Sequence, residues 1–150
     1  MKILEFFALL LLALVTGVLW GTWVSLSRSI ETFSAETFLQ IGQRMIKNLA
    51  LPMRFLMPAT LLATIGLDGL LLHRSAAGAS WGIVSSLCMA GVIVVTLVVN
   101  VPIDLKIRAW NAHNLPADWQ QLRRRWQTFH TVRTVLAVAS LAFLIVAVLR

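Results

Sequence analysis

Four long runs of apolar residues constrain this chain more than any other feature of its sequence. A bilayer core of about 30 Å is crossed by roughly 20 helical residues. Runs of about this length cover residues 3–26, 55–72, 81–101 and 131–149. Because backbone groups cannot stay unpaired in lipid, each run is predicted to form a helix. The sequence therefore predicts one all-α domain over residues 1–150, an integral membrane four-helix bundle.

The composition supports a membrane protein rather than a soluble one. Hydrophobic residues make up 59% of the chain and charged residues 13%, whereas a soluble domain has about a quarter of its residues charged. The first run begins directly after Lys2 and continues to Trp23 without a small-residue cleavage site. This favours an uncleaved first transmembrane helix over a signal peptide. The one cysteine, Cys88, lies within an apolar run and is expected to be a packing residue.

The distribution of basic residues predicts the orientation of the chain. Four spans place the two termini and the second loop on one side, with three Lys and Arg residues, against ten in loops one and three. Lys and Arg mark cytoplasmic loops, so we expect loops one and three in the cytoplasm and both termini outside, in a bacterial inner membrane. Topology accounts for the net charge of +7. Anionic lipid headgroups are the expected partners of the exposed arginines, and nucleic acid is not expected.

Both cytoplasmic loops contain helical patterns. Loop one spaces its apolar residues at helical intervals after a plausible N-cap at Ser34, which predicts an amphipathic cytoplasmic helix. Pro52 and Pro58 are expected to end this helix. In loop three a helix is predicted to begin near Pro116 and to run unbroken through the fourth span, as a cytoplasmic extension of it.

Two features within the apolar runs have structural interpretations. Gly17 and Gly21 have the spacing that allows close helix approach, and packing within the bundle is favoured over dimerisation. Asp68 lies about one helical turn before His73 and Arg74. We expect Asp68 to form an interfacial pair with one of these two residues.

The third span closes on a group of polar residues around a proline. Asn100, Pro102 and Asp104 follow one another at intervals of two. Pro102 removes a backbone donor, so the group is compatible with a plain helix end. If the helix continues, Asn100 and Asp104 share a face, and the amide and carboxylate together favour binding of a polar ligand.

The fourth helix carries a stripe of aromatic and basic residues. The stripe is spaced by four, three, four and three residues: Trp119, Arg123, Trp126, His130 and Arg133. Histidine exchanges protons near neutral pH, and an adjacent arginine can hold an anion. The stripe is equally compatible with an interfacial belt that contacts lipid headgroups.

Taken in order, these residues resemble those of the anthrone-oxygenase-like family of small four-helix membrane proteins. The resemblance rests on the glycine pair of the first span, on Asn100, Pro102 and Asp104, on Trp110, and on the stripe of the fourth helix. At the position of Asp104 the family pattern suggests a second asparagine.

The resemblance implies a membrane oxygenase that converts a flat, apolar, anthrone- or quinol-like compound without a cofactor. In that scheme His130 is the general base, while Arg133 and Asn100 stabilise the oxyanion. Four further residues are implied to bind the substrate: Trp126, Trp110, Asp104 and Trp119.

Other interpretations remain open from the sequence. The protein could be a non-catalytic membrane subunit or assembly factor, as a homo-oligomer or with another protein. It could also bind quinone or haem. His73 is predicted on the opposite side of the membrane from His113 and His130, which disfavours a bis-histidine haem across the bundle.

Overall fold

The computed structural model describes residues 2–111 and 115–150, and almost all of them are helical. The helices are α1 (Lys2–Ser25), α2 (Ala35–His73), α3 (Ala79–Val95), α4 (Val101–Ala109) and α5 (Trp119–Leu149). A 3₁₀ helix (Ser27–Thr32) follows α1, and a π turn (Thr96–Asn100) joins α3 directly to α4.

The prediction of four membrane-crossing helices is confirmed. Among the described residues, four helical segments are long and apolar enough to cross a membrane: Lys2–Thr32, Ala35–His73, Ala79–Ala109 and Trp119–Leu149. The chain is therefore an all-α integral membrane protein.

The helices form a ring in which each contacts the next. α1 packs on α2, α2 on α3, α3 on α5, and α5 returns to α1. The buried side chains form two apolar clusters. The larger cluster contains Leu12, Leu67, Met89 and Leu144. The second is built around Phe38, Ile103, Ile107 and Trp126. This second cluster brings the ends of α4, the start of α2 and the start of α5 together.

The expectation that Pro52 and Pro58 end a helix in loop one is wrong. Both prolines lie inside α2, which joins the predicted amphipathic helix to the second span without a break. Each proline removes one backbone donor, at a cost of about 3 kcal/mol in an exposed helix. Membrane helices tolerate this because packing on neighbouring helices compensates, and the buried face of α2 extends on both sides of the prolines.

The predicted helix starts at both loops agree with the structure. The Ser34 hydroxyl accepts a hydrogen bond from the backbone N–H of Thr37 at 3.2 Å, as an N-cap does. α5 begins at Trp119, three residues after Pro116, and continues to Leu149. The third span also continues past its proline, because Pro102 lies in the first turn of α4.

The glycine pair of α1 faces away from the bundle, contrary to the expected packing. Gly17 and Gly21 are exposed, and a Cβ on either one meets no atom within 4 Å. The buried stripe of α1 runs along Leu12, Val15 and Leu19, and the helical period places both glycines off this stripe.

Asp68 is buried between two helices, where its hydrogen-bond donor is a serine rather than His73 or Arg74. Its carboxylate accepts a hydrogen bond of 2.6 Å from Ser86 on α3. The other carboxylate oxygen lies against Gly82, where a Cβ would collide with it. Asp68 therefore connects α2 to α3 within the bundle.

Candidate active site

The stripe of α5 faces the interior at its centre. Arg123, Trp126 and His130 are buried, and Trp119 and Arg133 are half-buried at its ends. The helical period brings these residues to one side of α5, where they meet the π turn and α4. The structure thus confirms the common face that the spacing predicts.

His130 and Arg133 form a hydrogen-bonded pair within this face. The Arg133 Nε–H donates to His130 Nδ1 at 3.0 Å, and Arg133 Nη1 donates to the Thr96 hydroxyl at 3.3 Å. Thr96, in the π turn, donates its own proton to the carbonyl of Val92 at 2.7 Å. The guanidinium is therefore held from two sides, by α5 and by the π turn.

The hydrogen bond from Arg133 also determines which nitrogen of His130 carries a proton. A neutral imidazole has one donor and one acceptor nitrogen, so acceptance at Nδ1 leaves the proton on Nε2. His130 Nε2 is buried and has no hydrogen-bond partner among the described residues. The side chain as a whole is 1% exposed.

Trp126 links His130 to Asp104. Its ring stacks on His130 with the ring centroids 4.9 Å apart and the planes at 18°. The indole N–H of Trp126 donates to Asp104 Oδ1 at 2.8 Å. The Arg133 guanidinium lies 6.0 Å from the centre of the Trp126 ring. Asp104, Trp126, His130 and Arg133 thus form one contiguous polar group.

Asn100 lies behind this group. Its side-chain N–H donates to the backbone carbonyl of Trp126 at 3.3 Å, and it is fully buried. Its amide oxygen has no partner in the part of the chain that the structure describes. Asn100 therefore connects the π turn to α5 at the level of the site.

A cavity of about 410 Å³ opens beside the polar group. Its polar lining includes Asp104, Trp126, His130 and Arg133, and Arg54 and Arg108 also line it. Its remaining wall is mainly apolar and is supplied by α1, α2, α3, the π turn and α4, including Leu19, Ile46, Met53, Met57, Ile93 and Leu97. Pockets for small organic ligands usually have volumes of about 300–1,000 Å³ and combine apolar walls with a few polar groups. The cavity has both properties.

The other predicted site residues lie outside this cavity. Trp110 packs in the second apolar cluster, and its carbonyl accepts a hydrogen bond from Gln43 at 2.9 Å. The guanidinium carbon of Arg123 lies 4.8 Å from the centre of the Trp119 ring. Arg123 also donates to the backbone carbonyls of Phe33 and Glu31. Arg123 thus anchors α5 to the α1–α2 connection, Trp119 packs on Phe38 at the start of α2, and Trp110 ties the end of α4 to α2.

Sequence reasoning missed Thr96 and the contribution of α2. Thr96 lies within an apolar run and has no polar neighbour in sequence to mark it. The cavity wall from α2 is a row of apolar residues with the same helical spacing as an ordinary packing face. No local signal distinguishes such a wall from a core.

The remaining histidines do not join the site. His73 ends α2, beside the turn in which Gly78 approaches Ala147 near the end of α5, whereas His130 lies several helical turns earlier on α5. His113 lies outside the described residues. Among residues 2–111 and 115–150 there is no group of three or more His, Cys, Asp or Glu side chains that could hold a metal ion.

Comparison with known proteins adds one finding to this geometry. The profile of a family described as anthrone oxygenase matches residues 47–143, which is more than half of the chain. The matched region contains the whole polar group and most of the α2 wall. No curated protein and no solved structure matches the sequence.

Proposed function

Because the chain belongs to the anthrone oxygenase family, we propose that it is a membrane oxygenase acting on a flat, apolar aromatic compound of the anthrone or quinol type. The observation that carries the proposal is the cavity of about 410 Å³, whose polar end holds Asp104, Trp126, His130 and Arg133. An apolar substrate would enter from the bilayer and present its reactive carbon to this end.

The cavity wall suits a rigid ring system. Its apolar part includes the flexible side chains of Met53 and Met57, which adapt to irregular shapes. Trp126 supplies an aromatic surface at the polar end, where ring–ring contacts favour a planar substrate. Trp110 and Trp119 pack elsewhere, so their proposed role is to hold α4 and α5 in place rather than to touch the substrate.

The proposed reaction begins with loss of a proton from a methylene carbon that is activated by conjugation, through its aryl rings, with a ketone. The remaining electron pair delocalises onto the carbonyl oxygen, and Arg133 is the group that we propose stabilises this oxyanion. Arg133 is suited to this role because His130 and Thr96 fix its guanidinium while further N–H groups remain available. Asn100 supports the site by tying the π turn to Trp126.

The substrate anion can react with dioxygen directly. The methylene carbon loses two hydrogen atoms and gains one oxygen atom, and the second oxygen atom leaves as water. We propose that no cofactor takes part, because a delocalised carbanion is itself electron-rich. A quinone would fit the same cavity as an anthrone. Haem ligation by either nitrogen of His130 would break the hydrogen bond from Arg133. Ligation through Nδ1 would take up the lone pair that accepts this bond, and ligation through Nε2 would move the imidazole proton to Nδ1.

The proposal is tested with purified protein in lipid nanodiscs, an anthrone and dissolved oxygen. We expect oxygen uptake together with the absorbance of the quinone product. Arg133→Ala should lower the rate by about 100-fold or more, as loss of an oxyanion donor does. Arg124→Ala is the matched control, because Arg124 is exposed on the same helix and lies outside the cavity, and its rate should be unchanged.

Two outcomes would contradict the proposal. One is a wild-type protein that does not oxidise any anthrone or quinol offered. The other is full activity in Arg133→Ala. Native mass spectrometry and an absorption spectrum of the purified protein then discriminate the alternatives: a bound quinone, a haem band, or a second polypeptide that would identify a subunit.

A further inference from the structure

We propose that Asp104, and not His130, removes the proton from the substrate, and that His130 is a positioning residue for Arg133. This inference rests on the proposed function and assigns the base within it. It changes the role that the sequence suggests for His130, and it gives Asp104 a catalytic role.

Both nitrogen atoms of His130 are engaged or enclosed. A general base needs a lone pair within hydrogen-bond reach of the proton that it removes. The lone pair of Nδ1 already accepts the hydrogen bond from Arg133 Nε. Nε2 then carries the proton, and it is enclosed by protein atoms. Neither nitrogen is therefore available to a substrate in the cavity.

The carboxylate of Asp104, by contrast, is open to a substrate, because Asp104 is half-buried and lines the cavity. Its Oδ1 is oriented by the indole N–H of Trp126 at 2.8 Å. Its Oδ2 accepts no hydrogen bond from the described residues, so it has free lone pairs. A carboxylate with one oxygen fixed and the other free is arranged as a general base.

Asp104 and Arg133 lie at the same end of the cavity. Both line it and both contact Trp126: Asp104 accepts a hydrogen bond from the indole N–H, and the Arg133 guanidinium lies over the ring. In an anthrone the methylene carbon and the carbonyl oxygen lie across the central ring from each other and are conjugated through the fused rings. A base and a cation at two points of one aromatic side chain are placed to act on these two positions of one substrate.

In the proposed reaction Asp104 Oδ2 forms a bond to the substrate proton as the C–H bond breaks, and the electron pair moves to the carbonyl oxygen beside Arg133. Dioxygen then bonds to the carbanion carbon and is reduced to a hydroperoxide, which takes up the proton from Asp104. Loss of water from the hydroperoxide forms the new carbonyl group.

The test separates proton removal from oxidation by excluding oxygen. Wild-type protein in nanodiscs, incubated anaerobically with an anthrone in D₂O, should exchange the methylene hydrogens for deuterium, as followed by NMR. Asp104→Asn keeps an oxygen that accepts from Trp126 but lacks the basic carboxylate. We expect it to lower the exchange rate by about 100-fold or more, the contribution of a general base. Asp104→Glu should retain part of the exchange.

Variants of His130 distinguish a positioning role from a base. His130→Gln offers an amide oxygen to Arg133 Nε but no basic nitrogen, whereas His130→Ala offers neither. We expect His130→Gln to retain exchange within about tenfold of wild type, which is less than the loss of about 100-fold or more that removal of a base causes. His130→Ala should lose most of the exchange, because nothing then holds Arg133 in place. If His130 were the base, both variants would be equally inactive. Thermal unfolding of each variant in detergent verifies that it is folded.

A third measurement uses a substrate that is already ionised. At a pH high enough to form the anthrone anion in solution, Asp104→Asn should oxidise it at nearly the wild-type rate, because no base is needed. Exchange that persists in Asp104→Asn but is lost in His130→Gln would overturn this assignment and leave the proposed function standing. A wild-type protein that neither exchanges nor oxidises would overturn both.

Discussion

The two nitrogen atoms of His130 have different surroundings, and those surroundings determine what the side chain can do. A histidine beside an arginine on one helical face suggests an activated base. In the folded chain the arginine donates to the histidine, so the pair presents a cation to the cavity instead. The helical spacing predicts that the two residues meet. Only the directions of the side chains, which depend on Thr96 from another segment, determine which nitrogen of His130 accepts the bond from Arg133.

Glycine provides a second contrast at the scale of single residues. A Cβ on Gly78 would lie only 2.9 Å from the carbonyl carbon of Ala147 and 3.0 Å from the Ala147 Cα. A Cβ on Gly66 would meet no atom within 4 Å. We expect Gly78→Ala to destabilise the protein by about 1–3 kcal/mol, as overpacking does. Gly66→Ala should leave stability unchanged or raise it slightly.

Thermal unfolding in detergent, followed by tryptophan fluorescence, measures both glycine variants. A lower midpoint for Gly78→Ala alone supports the close contact between the α2–α3 turn and α5. Equal midpoints for the two variants would show that this contact is absent in the protein in solution.

At the scale of elements, proline has two different effects in this bundle. Pro52 and Pro58 lie within an uninterrupted α2, whereas Pro102 comes directly after a π turn in which the Val101 N–H donates to the carbonyl of Thr96. A π turn accommodates one additional residue and is frequent at functional sites. Here it carries both Thr96 and Asn100, which contact α5 at the site.

The contact between α3 and α5 contains a reciprocal pair of serines. The Ser85 hydroxyl donates to the carbonyl of Ser140 at 2.8 Å, and the Ser140 hydroxyl donates to the carbonyl of Ser85 at 2.8 Å. Polar contacts between membrane helices contribute about 0.6 kcal/mol on average and up to about 1.7 kcal/mol. We expect Ser85→Ala and Ser140→Ala each to lower stability by roughly this amount.

A double-mutant cycle on the two serines tests whether they act as a pair. The hydroxyls also lie 3.1 Å apart, so the double variant should lose less stability than the two single variants added together. Additive losses would mean that each serine contributes independently, without coupling between the helices.

At the scale of the whole molecule, the cavity lies between the two apolar clusters. Its wall takes Leu19 and Met57 from the larger cluster and Ile46 and Trp126 from the second. The end of the bundle that contains the second cluster also holds most of the basic residues. The cavity therefore lies between the bundle centre and the end that the charge distribution assigns to the cytoplasm.

This orientation is itself a prediction. A reporter enzyme that is active only outside the cytoplasm, fused after Arg150, should be active, because both termini are predicted to lie outside. The same reporter inserted after Asp118, between α4 and α5, should be inactive. The opposite pattern of activities would reverse the orientation and place the site at the outer surface.

The number and type of the membrane-crossing helices follow from the sequence alone, because they depend on local properties: apolar runs long enough to cross a bilayer, and backbone hydrogen bonds made within each run. The common face of Trp126, His130 and Arg133 likewise follows from the helical period. The bond from Trp126 to Asp104 and the bond from Arg133 to Thr96 join residues 22 and 37 positions apart. Only the packing of the helices against one another decides these contacts, the outward direction of the α1 glycines and the continuity of α2. Packing depends on how each helix is rotated and shifted relative to its neighbours, and no single segment of the sequence encodes that relation.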